Sequence, residues 1–226
     1  MNLKYYGSGI IPIIKDKNNQ YFFVLFKSSI RKKGEDTYVE DSGGKFEGTN
    51  LKISAIRELK EESSLLFNLE SFHNKNDIKN LYKVLKNFNT DTKGWEDDRY
   101  LSFFVYLKLK EGYFDLLELK SEFKSNMRKF WKNSFSVYTE NKDIIFVPIK
   151  NIINLNETSE KIIDNNNEEH LLFIRTLKVF IKLKQEYNLE NFIKKIIKSP
   201  ISLTKKIIDE YDMGKKYKIK DLITHE

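Results

Sequence analysis

Cysteine is absent from the chain. That excludes disulfides, thiolate nucleophiles and cysteine-based zinc sites, and it fits a reducing compartment. No apolar stretch approaches the roughly 20 residues that a membrane-spanning helix needs. The apolar run at residues 10–14 is short, contains Pro12 and lacks a small-residue cleavage site, so it does not read as a secretory leader. The expectation from these absences is an intracellular, cytoplasmic protein with no membrane partner. No internal repeat is visible. His73, His170 and His225 lack metal-ligand spacing and read as surface or packing residues.

What is present is enough apolar material for a packed core. Of 226 residues, 40% are hydrophobic and 14% aromatic, which indicates a folded domain with or without appendages. The formal net charge of +7 suits a polyanionic partner such as a nucleotide, RNA or an inositol phosphate. An abundance of Lys, Asn and Ile leaves biased codon composition as an equal explanation.

Residues 9–14 and 21–26 read as apolar strands joined by a polar turn at 15–19. A basic loop with Lys27, Arg31, Lys32 and Lys33 leads to Gly43-Gly44. Residues 51–63 carry Ile53, Ile56 and Leu59 at helical spacing, with Ala55 alongside. Beyond it, the pattern predicts a strand at 65–72, a short helix at 74–87, a polar loop at 90–98 and a strong strand at 99–109. A helix at 114–132 and a strand at 144–148 follow. A long helix is expected at 168–187, with Leu171, Leu172, Ile174, Leu177, Phe180 and Ile181 inward. Residues 188–226 form a basic extension, helical in pieces around Pro200 and Gly214. Strands mixed with helices in this order indicate an α/β or α+β sandwich rather than an alternating doubly wound sheet.

The chemistry concentrates in Arg57-Glu58-Leu59-Lys60-Glu61-Glu62. Helix positions three and four apart share a face, so Glu58, Glu61 and Glu62 project together while Ile56 and Leu59 turn to the core. Carboxylates this close raise one another's pKa, and a divalent cation relieves the repulsion. Oxygen-only ligands point to Mg²⁺ or Mn²⁺. Gly43 and Gly44 bring backbone close to a metal or a phosphate, and Arg57 can brace the loop by charge-assisted hydrogen bonds. A lone acidic helix face is ordinarily just solvated; the preceding Gly-Gly-Lys loop sets this one apart.

These residues resemble the Nudix family, whose box reads G-x5-E-x7-R-E-U-x-E-E-x-G-U with U a bulky aliphatic. The chain supplies Gly43, the run from Arg57 to Glu62, and Leu65, in the setting Gly43-Gly44-Lys45-Phe46-Glu47. Two positions depart from the box. Its first glutamate falls on Thr49 (on Asn50 if counted from Gly44), with Glu47 nearby, and its glycine falls on Ser64. The resemblance implies an α/β/α sandwich with a mixed sheet over residues 1–187, with insertions near 73–98 and 110–140, followed by the extension at 188–226.

It also implies an Mg²⁺- or Mn²⁺-dependent hydrolase cleaving a pyrophosphate bond in a nucleoside-diphosphate-linked substrate. Glu58, Glu61 and Glu62 would hold metal, with a carbonyl of Gly43 or Gly44. Glu140 is a candidate outside ligand or base, against a plain reading as a solvent-exposed loop residue. Lys27, Arg31 and Lys45 can reach phosphates, and Trp95, Tyr100 and Phe104 can stack on a base or belong to the core. Capped RNA and a diphosphoinositol polyphosphate are larger substrates that suit the positive charge, and Lys194, Lys195, Lys198, Lys205, Lys206, Lys215 and Lys216 can hold RNA. A non-catalytic nucleotide- or RNA-binding module is the alternative, favoured by Thr49 and Ser64. Isomerase chemistry on an isoprenoid diphosphate is disfavoured because it commonly uses cysteine.

Overall fold

The computed structural model describes residues 5–29, 37–46, 50–69, 86–90, 99–132 and 140–203. Two long strands organise the sheet, β1 (Tyr5–Lys15) and β2 (Tyr21–Ser28). The turn between them is closed by Asp16, whose Oδ1 accepts from the backbone of Asn18 and Gln20, while Asn19 takes a left-handed φ of 63°. Strand β3 (Val39–Glu40) pairs with the far end of β2, and β4 (Ser42–Lys45) pairs antiparallel with the first half of β1. Next come α1 (Leu51–Glu62), β5 (Lys86–Thr90), β6 (Arg99–Leu109), α2 (Leu116–Lys132) and β7 (Asn141–Pro148). A small hairpin of β8 (Lys161–Ile163) and β9 (Glu169–Leu171) precedes α3 (Ile174–Glu186), α4 (Leu189–Ile196) and β10 (Ile201–Leu203).

The main sheet is mixed. Strand β6 runs parallel to β1 and to β10, whereas β2, β4, β5 and β7 pair antiparallel with their neighbours. Strand β1 gives one edge to β6. On its other edge β4 pairs at residues 7–10 and β2 at 13–15, so β2 and β4 diverge at its centre.

Both faces of the sheet are buried, which explains the near-continuous apolar runs in these strands. Ile10, Ile14, Phe22, Val24, Phe103 and Phe146 point to α1 and α2, packing with Ala55, Leu59 and Phe123. Their alternating neighbours Ile11, Ile13, Phe23, Leu25, Phe104 and Val147 point to α3 and α4, packing with Leu177, Phe180 and Phe192. The result is the α/β/α sandwich with a mixed sheet.

Several local expectations are corrected. The helix expected at 168–187 begins only at Ile174, because Glu169–Leu171 pairs with Lys161–Ile163 as β9. Asp164 Oδ1 accepts from the backbone of Asn166 and Glu168, and Asn167 has a φ of 64°, which closes the hairpin. Ile174, expected inward, is 41% exposed. Residues 65–67 form turns rather than a strand, with the Phe67 amide donating to Ser63 Oγ at 3.0 Å. Residues 86 and 87, placed at the end of a helix, belong to β5, and the rest of that segment lies outside the described residues. Past 187, α4 buries Phe192, Ile193 and Ile196 in the core and β10 joins the sheet, so the start of the extension is structural.

Helix α1 is defined at both ends. Asn50 caps its start, its side-chain oxygen accepting from the amides of Lys52 and Ile53. At its end, the Leu65 amide donates to Lys60 O and the Ser64 amide to Glu61 O, a Schellman pair with Ser64 in the left-handed position at φ 50°. The residue standing where the box has glycine therefore adopts the conformation that glycine favours. Of the apolar face, Ala55, Ile56 and Leu59 are buried, whereas Ile53 is exposed. Ser64→Gly should raise the unfolding free energy by about 1 kcal/mol through relief of the left-handed strain. A urea titration at constant m-value checks this, and no gain would mean that the strain is absent.

Candidate active site

The site begins with a close approach of helix to strand. Gly44 pairs with Ser8 and Gly43 with Gly9, which lays β4 along β1 under the first turns of α1. A Cβ on Gly44 would sit 2.6 Å from Glu58 Cδ, and one on Gly43 would sit 2.8 Å from both Gly9 Cα and Ser8 O. A side chain at Gly43 would run into backbone, whereas one at Gly44 would meet only the movable end of Glu58. Ser8 Oγ donates to Leu51 O at 2.8 Å and Ser54 Oγ to Lys45 O at 3.4 Å, tying the helix to β1 and β4.

The carboxylates lie on a partly buried face of α1. Arg57 donates from Nη2 to Glu58 Oε1 at 2.5 Å and from Nη1 to Glu61 Oε2 at 2.6 Å, so one guanidinium bridges both. Burial pushes the Glu58 carboxyl up to about 7; Arg57 opposes this, while the charges of Glu61 and Glu140 add to it. Glu61 is raised for the same leading reason, against Arg57. Glu62 is raised well above the usual range by burial and then by Glu40, Glu58 and Asp41, with Arg175 opposing. Desolvation thus outranks the mutual repulsion expected from the sequence.

One oxygen decides what the face can do. Glu62 Oε2 is buried and has no hydrogen-bond partner, an expensive state for a carboxylate unless a cation meets it. That orphaned oxygen, the all-oxygen donor set and the side-chain-free cradle at Gly44 fit a divalent cation of the Mg²⁺ or Mn²⁺ type held by Glu58, Glu61 and Glu62. Among the described residues the three carboxylates do not all close to within 4.8 Å of one another. Arg57, standing between Glu58 and Glu61, supplies the positive charge that a cation would share.

Behind Glu62 lies a buried network that the sequence did not flag. Asp41, fully buried, accepts from Tyr100 Oη at 2.7 Å, Thr176 Oγ1 at 2.8 Å and Arg175 Nε at 3.2 Å. Arg175 also reaches Glu40 at 3.2 Å and stacks over the Tyr100 ring at 4.5 Å. Burial works against the Arg175 charge, but Asp41, Tyr100, Glu40 and Glu62 hold its proton more firmly than usual. The signal available in the sequence was the acidic pair Glu40-Asp41 just before the glycines; its partner on α3 is remote in the chain.

The other site expectations divide. Glu140 is exposed and lies close enough for its charge to act on Glu58 and Glu61. Lys45 ends β4, exposed. Lys27 sits instead beside His170, Nζ to Nδ1 3.3 Å, with His170 Nε2 3.1 Å from Asp164, a cluster under the β8–β9 hairpin. Tyr100 and Phe104 are buried and unavailable for base stacking. Arg31, Lys32, Lys33, Trp95, Thr49, Glu47, His73, His225 and the lysines from Lys205 onward lie outside the described residues. Asp164, Glu168 and His170 place ligand atoms within 4.8 Å of one another, but both oxygens of Asp164 are already engaged by the hairpin and by His170. No helix among the described residues is long and apolar enough to cross a membrane.

Two outcomes follow from this geometry. Gly44→Ala should displace the Glu58 carboxylate at little cost to stability, because the end of that side chain can move, and should shrink the stabilisation by added Mg²⁺; a melt with and without Mg²⁺ measures both effects. Because Glu58 titrates near 7 in the fold and near 4.5 when unfolded, the folded metal-free chain binds more protons between those values. Its stability should therefore fall as pH rises through that window. Added Mg²⁺ should raise the melting temperature more above the window than below it; an equal rise at both ends would contradict metal binding at these carboxylates.

No family model matches the chain, and no curated protein matches it in sequence. Solved structures are similar to it. A C. elegans Ap4A hydrolase, solved as a binary complex, matches at 12% identity over 81% of this chain and 100% of that one, with a TM-score of 0.40. A MutT/nudix family protein from Enterococcus faecalis matches at 12% identity over 81% of this chain and 62% of that one, with a TM-score of 0.43. The NUDIX domain of Shewanella oneidensis NrtR, complexed with ADP ribose, matches at 7% identity over 82% and 90%, with a TM-score of 0.41. The last two carry the Nudix name, that of the family which this chain's glycine strand and glutamate helix resemble.

Proposed function

We propose that this chain is a divalent-metal-dependent hydrolase that cleaves a pyrophosphate bond in a nucleoside-diphosphate-linked substrate. The observation that carries the reading is the partnerless buried oxygen of Glu62, set beside Glu58 and Glu61 on one helix face. Glu58, Glu61 and Glu62 would hold Mg²⁺ or Mn²⁺, which neutralises phosphate charge and acidifies a water. Arg57 orients the Glu58 and Glu61 carboxylates through its two hydrogen bonds. Glu140, exposed and next to that pair, is the outside carboxylate best placed to act as base or further ligand.

The net charge of +7 supports a polyanionic substrate, and capped RNA or a diphosphoinositol polyphosphate are the larger candidates. A cytoplasmic setting fits the lack of cysteine. A binding module without turnover is the second reading, favoured by Thr49 at the first box glutamate. Product formation over a panel of nucleotide-linked pyrophosphates, with and without Mg²⁺, separates the two. Glu61→Gln and Glu62→Gln should each cut metal-dependent turnover by about 100-fold or more while the melt stays cooperative. Ligand binding without turnover across the panel would instead establish the binding module.

A further inference from the structure

The glycine strand is pressed from both faces of the sheet. On the α1 side, the Glu58 carboxyl occupies the space that a Cβ on Gly44 would take. On the α3 side, the Tyr100 hydroxyl covers Gly43 and Gly9, and a Cβ on either glycine would overlap it. That hydroxyl is itself held, because it donates to Asp41 Oδ2 at 2.7 Å and both residues are buried. Asp41 is fixed in turn by α3, where Thr176 Oγ1 donates to Oδ1 at 2.8 Å and accepts from the Asp41 amide at 3.1 Å. Arg175 closes the assembly. Its Nε lies 3.2 Å from Asp41 Oδ1, and its guanidinium stacks over the Tyr100 ring at 4.5 Å and the Phe173 ring at 5.3 Å. Backbone continues the tie, since the Phe173 amide donates to Val39 O at 3.0 Å.

We propose that Tyr100 and Arg175 are positioning residues of the divalent-cation site, a role that rests on the hydrolase reading of that site and acts through Asp41 and the glycine strand. Of the four residues of β4, Gly43 and Gly44 have no side chain to anchor them and Lys45 is exposed. Ser42 bonds Ile10 O of the adjacent β1 at 2.9 Å. The depth of Gly43 and Gly44 below α1 is therefore set by what lies on the opposite face, which is the Tyr100 hydroxyl. The Glu58 carboxyl rests on this strand, and Glu62 stands one turn later on the same helix. A strand that sinks towards α3 lets the Glu58 carboxyl follow it, away from Glu62. Cation ligands tolerate little displacement, and loss of a group that orients them lowers affinity by roughly ten- to hundredfold. Arg175 also balances the Asp41 charge, without which a carboxylate would not remain buried there.

The test is Mn²⁺ titration of the full chain, followed by loss of the free-ion electron paramagnetic resonance signal at a temperature well below every melt. Tyr100→Phe keeps the ring and removes only the hydroxyl, and it should weaken Mn²⁺ binding by about tenfold or more. Arg175→Met should do the same. Arg175→Lys, which returns a charge beside Asp41, should bind more tightly than Arg175→Met. If Arg175→Met does not fold, the comparison of Tyr100→Phe with the parent decides. Val179→Ala trims the same helix within the apolar core. It should lower the melting temperature and leave Mn²⁺ affinity unchanged, which separates positioning from plain loss of stability. Equal affinity in the parent and Tyr100→Phe, or an equal loss in Val179→Ala, overturns the inference while the metal site stands. Glu62→Gln identifies the other failure: a parent that binds no Mn²⁺, or binds it no better than Glu62→Gln, sinks both.

Discussion

The Glu58 carboxyl of helix α1 rests against Gly44 of strand β4, in the space that a side chain there would take, and the site is built around that contact. With no Cβ at Gly44, the Glu58 carboxyl lies directly over the strand backbone. Gly43 allows β4 to lie equally close to Gly9 of β1. The helix is then fixed by Ser8, Ser54 and the Asn50 cap, none of which is acidic or basic. The carboxylate face is therefore positioned by packing and neutral hydrogen bonds.

Those charges are balanced by two arginines on different elements. Arg57, within α1, bridges Glu58 and Glu61. Arg175, at the start of α3, holds Glu40 and Asp41 and lies within electrostatic reach of Glu62. Burial raises all three glutamates, so each holds its proton more firmly than a solvated carboxyl does. The network through Asp41, Tyr100 and Thr176 also binds the glycine strand to α3, which makes the layer behind the sheet part of the support of the site.

Legibility in the sequence followed how local each signal was. Strands β1, β2 and β6 were readable because both their faces are buried, which demands unbroken apolar and aromatic runs. Helix α1 was readable from Ile53, Ile56 and Leu59 at helical spacing with Ala55 alongside, although Ile53 lies exposed. Residues 168–173 misled because Leu171 and Leu172 continue the apolar period of α3 backwards, while the hairpin is made by Asp164 and Asn167 several residues earlier. Leu65, Leu66 and Phe67 resembled a strand because burial alone, here within turns after α1, also produces a short apolar run.

The sequence by itself determined the carboxylate face of α1. Three glutamates at helical spacing after a glycine pair must share one side of a helix, since both the period and the freedom of glycine are properties of the local backbone. Tertiary structure decided what surrounds that face. It brought Arg175 and Tyr100 to Asp41, put Glu140 near Glu58, turned Lys27 to His170 and left one oxygen of Glu62 without a donor. These outcomes depend on which strands pair and which helix covers each face. They are settled by the burial of two sheet faces at once, which no short stretch of sequence encodes.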